Sequence, residues 1–354
     1  MRSTLDEVLA VLGDLEAFVH SIDKVNVLLA SHADPDVRNH FNIRRRLDGA
    51  AFIVALYSAF EKFVEELSWA FAELEASVTS YADLHEGLRF KHLKQSAELL
   101  ARGRLGEGRR YAGLTEANVV ANLHLCLSGQ SPYKLNRDAV VYHEHNFRAN
   151  VVQASFSALG IEKINESVRC ADALVNWYSS MQGVSPGDPV PLTTIEVRLE
   201  DFVEYRNQVA HTGTSPGSLL GPDDMRELLA FVRSYCISIH TVVVGEYLNR
   251  RYVTKPGASV KLGDILEGPF RKNGDAVVVA KPQCRVFLDQ PVFGMRDGRV
   301  DRYGLVKGIQ VDGRDMHSVE VNSTAKSVGL RVDFRVTKGT QLYLLQSRDA
   351  VVWP

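Results

Sequence analysis

Apolar side chains recur every three or four residues from Thr4 to Tyr247, and every second residue from about Val277 to Leu345. A chain whose period switches once is expected to fold as a helical part followed by a β part. The composition turns at the same place, near Tyr252–Pro256: Ala, Leu and Glu dominate before it, Val, Gly, Arg and Asp after it. Residues 252–354 carry 7 Lys and 9 Arg against 9 Asp and 2 Glu, a net charge of +5, which leaves −7 on residues 1–251. The expected organisation is a mainly α helical bundle over 1–251 and a small all-β barrel or sandwich over 252–354.

Local signals place the helices. Asp34-Pro35 is a helix start, Asp as cap and Pro at the first helical position, for a long helix running through Leu74. Further helices are expected over Thr4–Leu29, Tyr81–Arg102, Thr115 to Gly129, Asn146–Leu159 and Ile164–Met181. Thr193 with Glu196 forms a capping-box pattern that opens a helix through Val209. Gly213, Pro216 and Gly217 end that helix, and Pro222-Asp223-Asp224 starts a last long one. Gly103–Arg110 holds three glycines in six residues and reads as a loop.

Other classes are excluded by what is missing. No run approaches the ~20 apolar residues of a membrane span, and Met1–Glu7 lacks a signal-peptide pattern. The four cysteines, Cys126, Cys170, Cys236 and Cys284, have neither zinc nor disulfide-scaffold spacing. A reducing cytoplasm is the expected compartment. A net charge of −2 does not suggest coating of nucleic acid by bulk charge. Gly-x-Ser-x-Gly is absent, so hydrolase chemistry of the Ser/His/Asp type has no anchor.

One segment stands apart: Glu204-Tyr205-Arg206-Asn207-Gln208-Val209-Ala210-His211-Thr212-Gly213. With 28 Arg and 11 His, chance supplies about one R-x4-H per chain, so the spacing alone is weak. Asn after the Arg, and a helix end beside the His, strengthen it. On a regular helix five residues put Arg206 and His211 about 140° apart. They converge only if the helix ends near His211, which Gly213 offers. The bland reading is a helix-terminal Arg and His bound to carboxylates or carbonyls.

Arg206–His211, on a late helix before a final long one, resembles the R-x(4–6)-H signature of HEPN-domain ribonucleases, including the polar residue that often follows the Arg. Within that superfamily, Phe60-Glu61-Lys62-Phe63-Val64-Glu65-Glu66-Leu67 resembles a segment of the RiboL-PSP-HEPN group. The likeness spans about residues 40–250 and says nothing of 252–354. It implies a metal-independent endoribonuclease with no cofactor, acting as a homodimer whose two Arg–His sets face one composite cleft. His titrates near neutrality and can take the 2′-OH proton or give one to the 5′-oxygen. Arg offers a planar fork of donors to the phosphate. Asn207 would bond ribose or phosphate, or hold the His211 tautomer. Products would carry 2′,3′-cyclic phosphate and 5′-OH ends. The implied setting is a toxin or antiphage effector on RNA, with a tRNA loop as a suitable target and a cognate antitoxin or regulatory protein as partner. In a subgroup whose partner modifies a Tyr two residues after the His, that position is here Gly213, which argues against that route of control. The rivals are a non-catalytic HEPN-like RNA-binding or regulatory module, and a helical sensor.

Weaker candidates surround the motif. Tyr142–Arg148 gathers His143, His145, Asn146 and Arg148. Its alternatives are a metal pair, an RNA-contacting edge, and plain helix capping by Asn146. Arg109 and Arg110 suit a basic lid over RNA. Glu61 either points at the motif or lies on a solvated acidic face. The β part, with Arg296, Arg299, Arg302 and Arg314, is expected to bind RNA or dock a partner.

Overall fold

The computed structural model describes the chain except residues 31–33, 103–104, 106–112, 184–186, 213–219, 255–258, 271–273, 281, 321–326, 346–348, 350–351 and 353–354. The chain divides into two compact units. One holds Ser3–His240 and the other Thr241–Pro354, and the division falls inside the last long helix.

The first unit is all helical among its described residues. It contains α1 (Arg2–Ala30), α2 (Pro35–Val78), a 3-10 turn at Tyr81–Asp83, α3 (Glu86–Ala101), α4 (Glu116–Leu127), α5 (Arg137–Val141), α6 (Ala149–Ser157), α7 (Ile164–Val168), α8 (Asp172–Gln182), α9 (Leu192–Thr212) and most of α10 (Pro222–Leu248). Asp34 caps α2 as its sequence dictates: its carboxylate accepts from Asp36 N at 2.8 Å, with Pro35 at the first position. Thr115 caps α4 through the Asn118 N–H.

Two expected helices are broken. Leu84 and His85 turn extended, so Tyr81–Arg102 becomes a 3-10 turn plus α3, which the His85 ring caps at Gly87 N. Ile164–Met181 breaks into α7 and α8 because Arg169 is engaged elsewhere. Its carbonyl accepts from Val190 N at 3.0 Å and its Nε donates to Val190 O at 2.8 Å. The capping box at Thr193 is bypassed, since α9 is already helical from Leu192 after Pro191.

The core of this unit is aromatic. Phe52, Ile53, Leu56, Tyr57, Phe60, Phe63, Val64, Leu67 and Phe71 form a buried stripe along α2. Phe60 stacks among Phe147, Phe202 and Tyr235 at ring distances of 6.0–6.3 Å, which ties α2 to α9, α10 and the segment before α6. Each such ring is worth ~1.5–3 kcal/mol of burial. Helix α10 is long and apolar enough to cross a membrane by length and composition, and 67% of that window is buried inside the protein. It is held to α1 by Arg233–Glu16 at 2.7 Å and by Arg226–Asp23.

The second unit is antiparallel: β1 (Ser259–Gly263), β2 (Ile265–Phe270), β3 (Ala276–Ala280), β4 (Val286–Phe287), β5 (Pro291–Arg296), β6 (Arg299–Val311), β7 (Arg314–Met316), β8 (Ser318–Val319), β9 (Ser327–Val332) and β10 (Gln341–Leu345). The main sheet runs β1-β10-β5-β6-β9-β3-β2, with β7 on β6 and a separate β4-β8 pair. Its two ends, β1 and β2, are joined through Asp264 alone, but they do not pair with each other. The expected barrel is therefore not closed. Asp297-Gly298 and Asp312-Gly313 turn the β5–β6 and β6–β7 hairpins with both residues at positive φ, the primed turn that suits strand twist. Val277, Val279, Val306, Val328, Leu330 and Leu344 fill one core. Arg302 is half-buried, whereas Arg296, Arg299 and Arg314 are exposed.

Candidate functional site

The burial stripe of α9 explains where Arg206 goes. Ile195, Leu199, Phe202, Val203 and Val209 face the core. Arg206 lies three, four and seven residues beyond Val203, Phe202 and Leu199, so it occupies the same face. Its guanidinium accordingly lies over the Tyr57 ring, 5.3 Å from the centroid. Its Nη1 donates to Asn207 Oδ1 at 3.4 Å. His211 stands seven residues after the exposed Glu204 and is itself exposed. The helix continues through Thr212. The helix ends one residue beyond His211, close to the expected stop; regular helix geometry sets His211, on the exposed side, about 140° around α9 from Arg206 at the core edge. Gly213, Pro216 and Gly217 lie outside the described residues.

Helix α2 supplies the opposing wall. Tyr57, Glu61 and Glu65 are spaced by four and form one row. The Tyr57 hydroxyl accepts from Phe147 N at 2.9 Å. Burial pushes this phenol up to about 12, Glu61 reinforces the shift, and Phe147 N, Arg206 and Arg148 oppose it. Glu61, Arg148 and Arg206 therefore all act on one ring.

Residues 143–148 close the site from a third side. Asn146 Nδ2 donates to Asn207 Oδ1 at 2.7 Å. Arg148 Nε pairs with Glu200 Oε2 on α9 at 2.7 Å. His143 Nε2 lies 3.0 Å from Glu65 Oε1 and 3.7 Å from Glu61 Oε1, its Nδ1 lies 2.9 Å from His145 O, and its ring packs on Phe147 at 4.2 Å. Burial of His143 opposes its charge, but the Glu65 hydrogen bond, the His145 carbonyl and both carboxylates outweigh it, and its pKa rises. On α3, burial lowers the Lys91 amine to about 8 against the pull of Glu65.

Several expectations change. Asn146 does not cap α6: the cap position is Arg148, without a side-chain bond, because the Asn146 amide is engaged by Asn207. Asn207 touches Asn146 and Arg206, not His211. His143 is largely enclosed rather than an open edge: its side chain is 11% exposed, with both carboxylates at Nε2 and the His145 carbonyl at Nδ1. Arg148 is paired rather than open to phosphate. Glu61 points toward the site instead of lying on a purely solvated face. Arg109 and Arg110 lie outside the described residues. Among the described residues no group of three His, Cys, Asp or Glu could hold a metal. The reading of the motif missed Tyr57, Glu65 and Glu200. The four-residue spacing of Tyr57, Glu61 and Glu65 was a usable signal for the first two, and nothing local marks Glu200.

A family model described as RiboL-PSP-HEPN matches residues 6–245, which contain every residue of this site. No curated protein and no solved structure matches the chain.

Proposed function

Because the chain belongs to the RiboL-PSP-HEPN family, we propose that it is a metal-independent endoribonuclease in which Arg206 and His211 carry the reaction and Asn207 orients the Arg. The family ties the chain to RNA-related, nuclease-type function. The observation that supports the finer reading is Arg206 itself: a half-buried cation backed by the Tyr57 ring and the Asn207 amide, hence preorganised to meet phosphorane charge. His211, exposed at the end of α9, offers an imidazole that can take or give a proton at the 2′-OH. The reading takes the active form to be a homodimer whose two Arg–His sets face one composite cleft. A second His then serves the leaving 5′-oxygen, and the products are 2′,3′-cyclic phosphate and 5′-OH ends. The biological reading is a toxin or antiphage effector in the cytoplasm, checked by an antitoxin or regulatory protein.

The test is RNA cleavage and end-group mapping with wild type, Arg206→Ala and His211→Ala. Loss of cutting in both variants is expected, and undiminished cutting by both ends the reading. The separation of Arg206 and His211 around α9 favours a second reading, a non-catalytic RNA-binding module. It predicts salt-sensitive RNA binding with no cleavage by wild type.

A further inference from the structure

His143 is held by acceptors on both sides. A backbone carbonyl oxygen, His145 O, faces Nδ1 at 2.9 Å, and the Glu65 carboxylate faces Nε2 at 3.0 Å with Glu61 at 3.7 Å. A carbonyl accepts and never donates, and an ionised carboxylate does the same. A neutral imidazole has one N–H, so it satisfies one side and aims a lone pair at the other. Both bonds are made only when both nitrogens carry protons. The ring is then a cation lodged between α2 and the segment that leads into α6.

That segment is fastened to the Arg206 site at successive residues. Asn146 grips Asn207, Phe147 N donates to the Tyr57 hydroxyl beneath the Arg206 guanidinium, and Arg148 pairs with Glu200. We propose that His143 is a positioning residue of this site: as an imidazolium bridging Glu65 and the His145 carbonyl, it locks residues 143–148 so that Asn146 holds Asn207, and through it Arg206, in working orientation. The inference rests on the ribonuclease reading. His143 does not touch the reacting phosphate, because its side chain is nearly enclosed.

The charges around it set the direction of pH dependence. Glu61 and Glu65 from α2 favour the cation. Lys91 from α3 acts on Glu65, and its amine, lowered by burial to about 8, loses charge in mildly alkaline solution, which leaves the carboxylates freer to hold the His143 proton. Arg148 and Arg206 act at Tyr57. Loss of the His143 proton with rising pH breaks one of its two bonds and releases the segment.

The full chain with ¹³C,¹⁵N-labelled histidine tests this directly, the His143 signal being identified by its loss in His143→Gln. Two protonated ring nitrogens at pH 7 and a midpoint above the ordinary 6.5 are expected. A fall in that midpoint of about one unit or more is expected in Glu65→Gln. A neutral tautomer at pH 7 overturns the proposal. The Asn207 side-chain amide is expected to shift with the His143 midpoint and to move in both variants. An Asn207 signal blind to His143 overturns the positioning role even if the ring is charged. In RNA cleavage, His143→Gln is expected to lose about tenfold in kcat with KM nearly unchanged, and to lack the alkaline limb expected of wild type. A KM effect alone, or an unaltered pH profile, counts against it. If wild type cuts no RNA, the ribonuclease reading fails on its own, and the amide measurements still decide whether His143 sets Asn207.

Discussion

Asn146 Nδ2 donates to Asn207 Oδ1 across 2.7 Å, joining the segment before α6 to the helix that carries Arg206. The bond spans 61 positions of sequence and leaves the Asn207 oxygen shared between Asn146 and Arg206. Replacing Asn146 by Ala removes one partner and frees the Asn207 amide to rotate. A net hydrogen bond of this kind is worth about 1 kcal/mol. Asn146→Ala is therefore expected to lower RNA cleavage roughly fivefold while shifting Tm by no more than about 4 °C. Single-turnover rates and a thermal melt on the same preparation check it.

Tyr57 serves two neighbours with two parts of its side chain. The hydroxyl accepts the Phe147 N–H, and the ring face receives Arg206. Tyr57→Phe keeps the ring and strands a buried N–H, so it is expected to cost about 1–3 kcal/mol of stability, with a smaller fall in cleavage than the loss of the ring. Tyr57→Leu also removes the ring face, and cleavage is expected to fall as well, by an amount set by a cation–π contact of about 1–2 kcal/mol. Urea unfolding and cleavage rates of the pair separate the two parts.

Two histidines respond to pH with opposite sign. His92 is fully buried, and Asn136 N donates to its Nε2 at 2.9 Å, so that nitrogen is an acceptor and the ring is neutral. Burial lowers its pKa from 6.5 to about 4. The unfolded chain takes up this proton near 6.5 and the folded one only near 4. Its contribution is thus present above 6.5 and is lost as pH falls through that window, about 2 kcal/mol between pH 7 and pH 5. His92→Gln is expected to flatten the acid limb of stability, as measured by urea midpoints at both pH values. His143, with its pKa raised, contributes below 6.5 and loses that contribution as pH rises through its folded value.

Gly304 on β6 has no room for a side chain. A Cβ there would overlap the Asp333 carboxylate, which accepts from Leu305 N at 2.7 Å. Gly304→Ala must displace that acceptor or bend β6. A loss of about 1–3 kcal/mol in the β unit is expected, with the RNA chemistry of the helical unit unchanged. A thermal melt of the full chain by near-ultraviolet dichroism, compared with wild type, reads it.

Elements with a chemical signal of their own were legible in the sequence. The Asp34-Pro35 start, the Thr115 cap, the apolar stripe of α2 and the period-two strands depend on neighbours within a few residues. Arg206 and His211 were nominated on the same local grounds. The breaks at Leu84–His85 and at Arg169 were not, because the second is made by Val190, twenty-one residues away. The division within α10 was equally hidden, since the helix runs unbroken across it.

Residue type and spacing settled the order of helices and strands and nominated one Arg, one Asn and one His. Tertiary packing decided what those side chains meet. It set Arg206 on Tyr57, turned Asn146 from a helix cap into the partner of Asn207, and enclosed His143 between its own segment's backbone carbonyl and a carboxylate of a helix nearly eighty residues earlier. The reason is physical: a period of 3.6 is written in neighbouring residues, whereas the partner of a buried polar group is whichever distant group the packed core brings within about 3 Å.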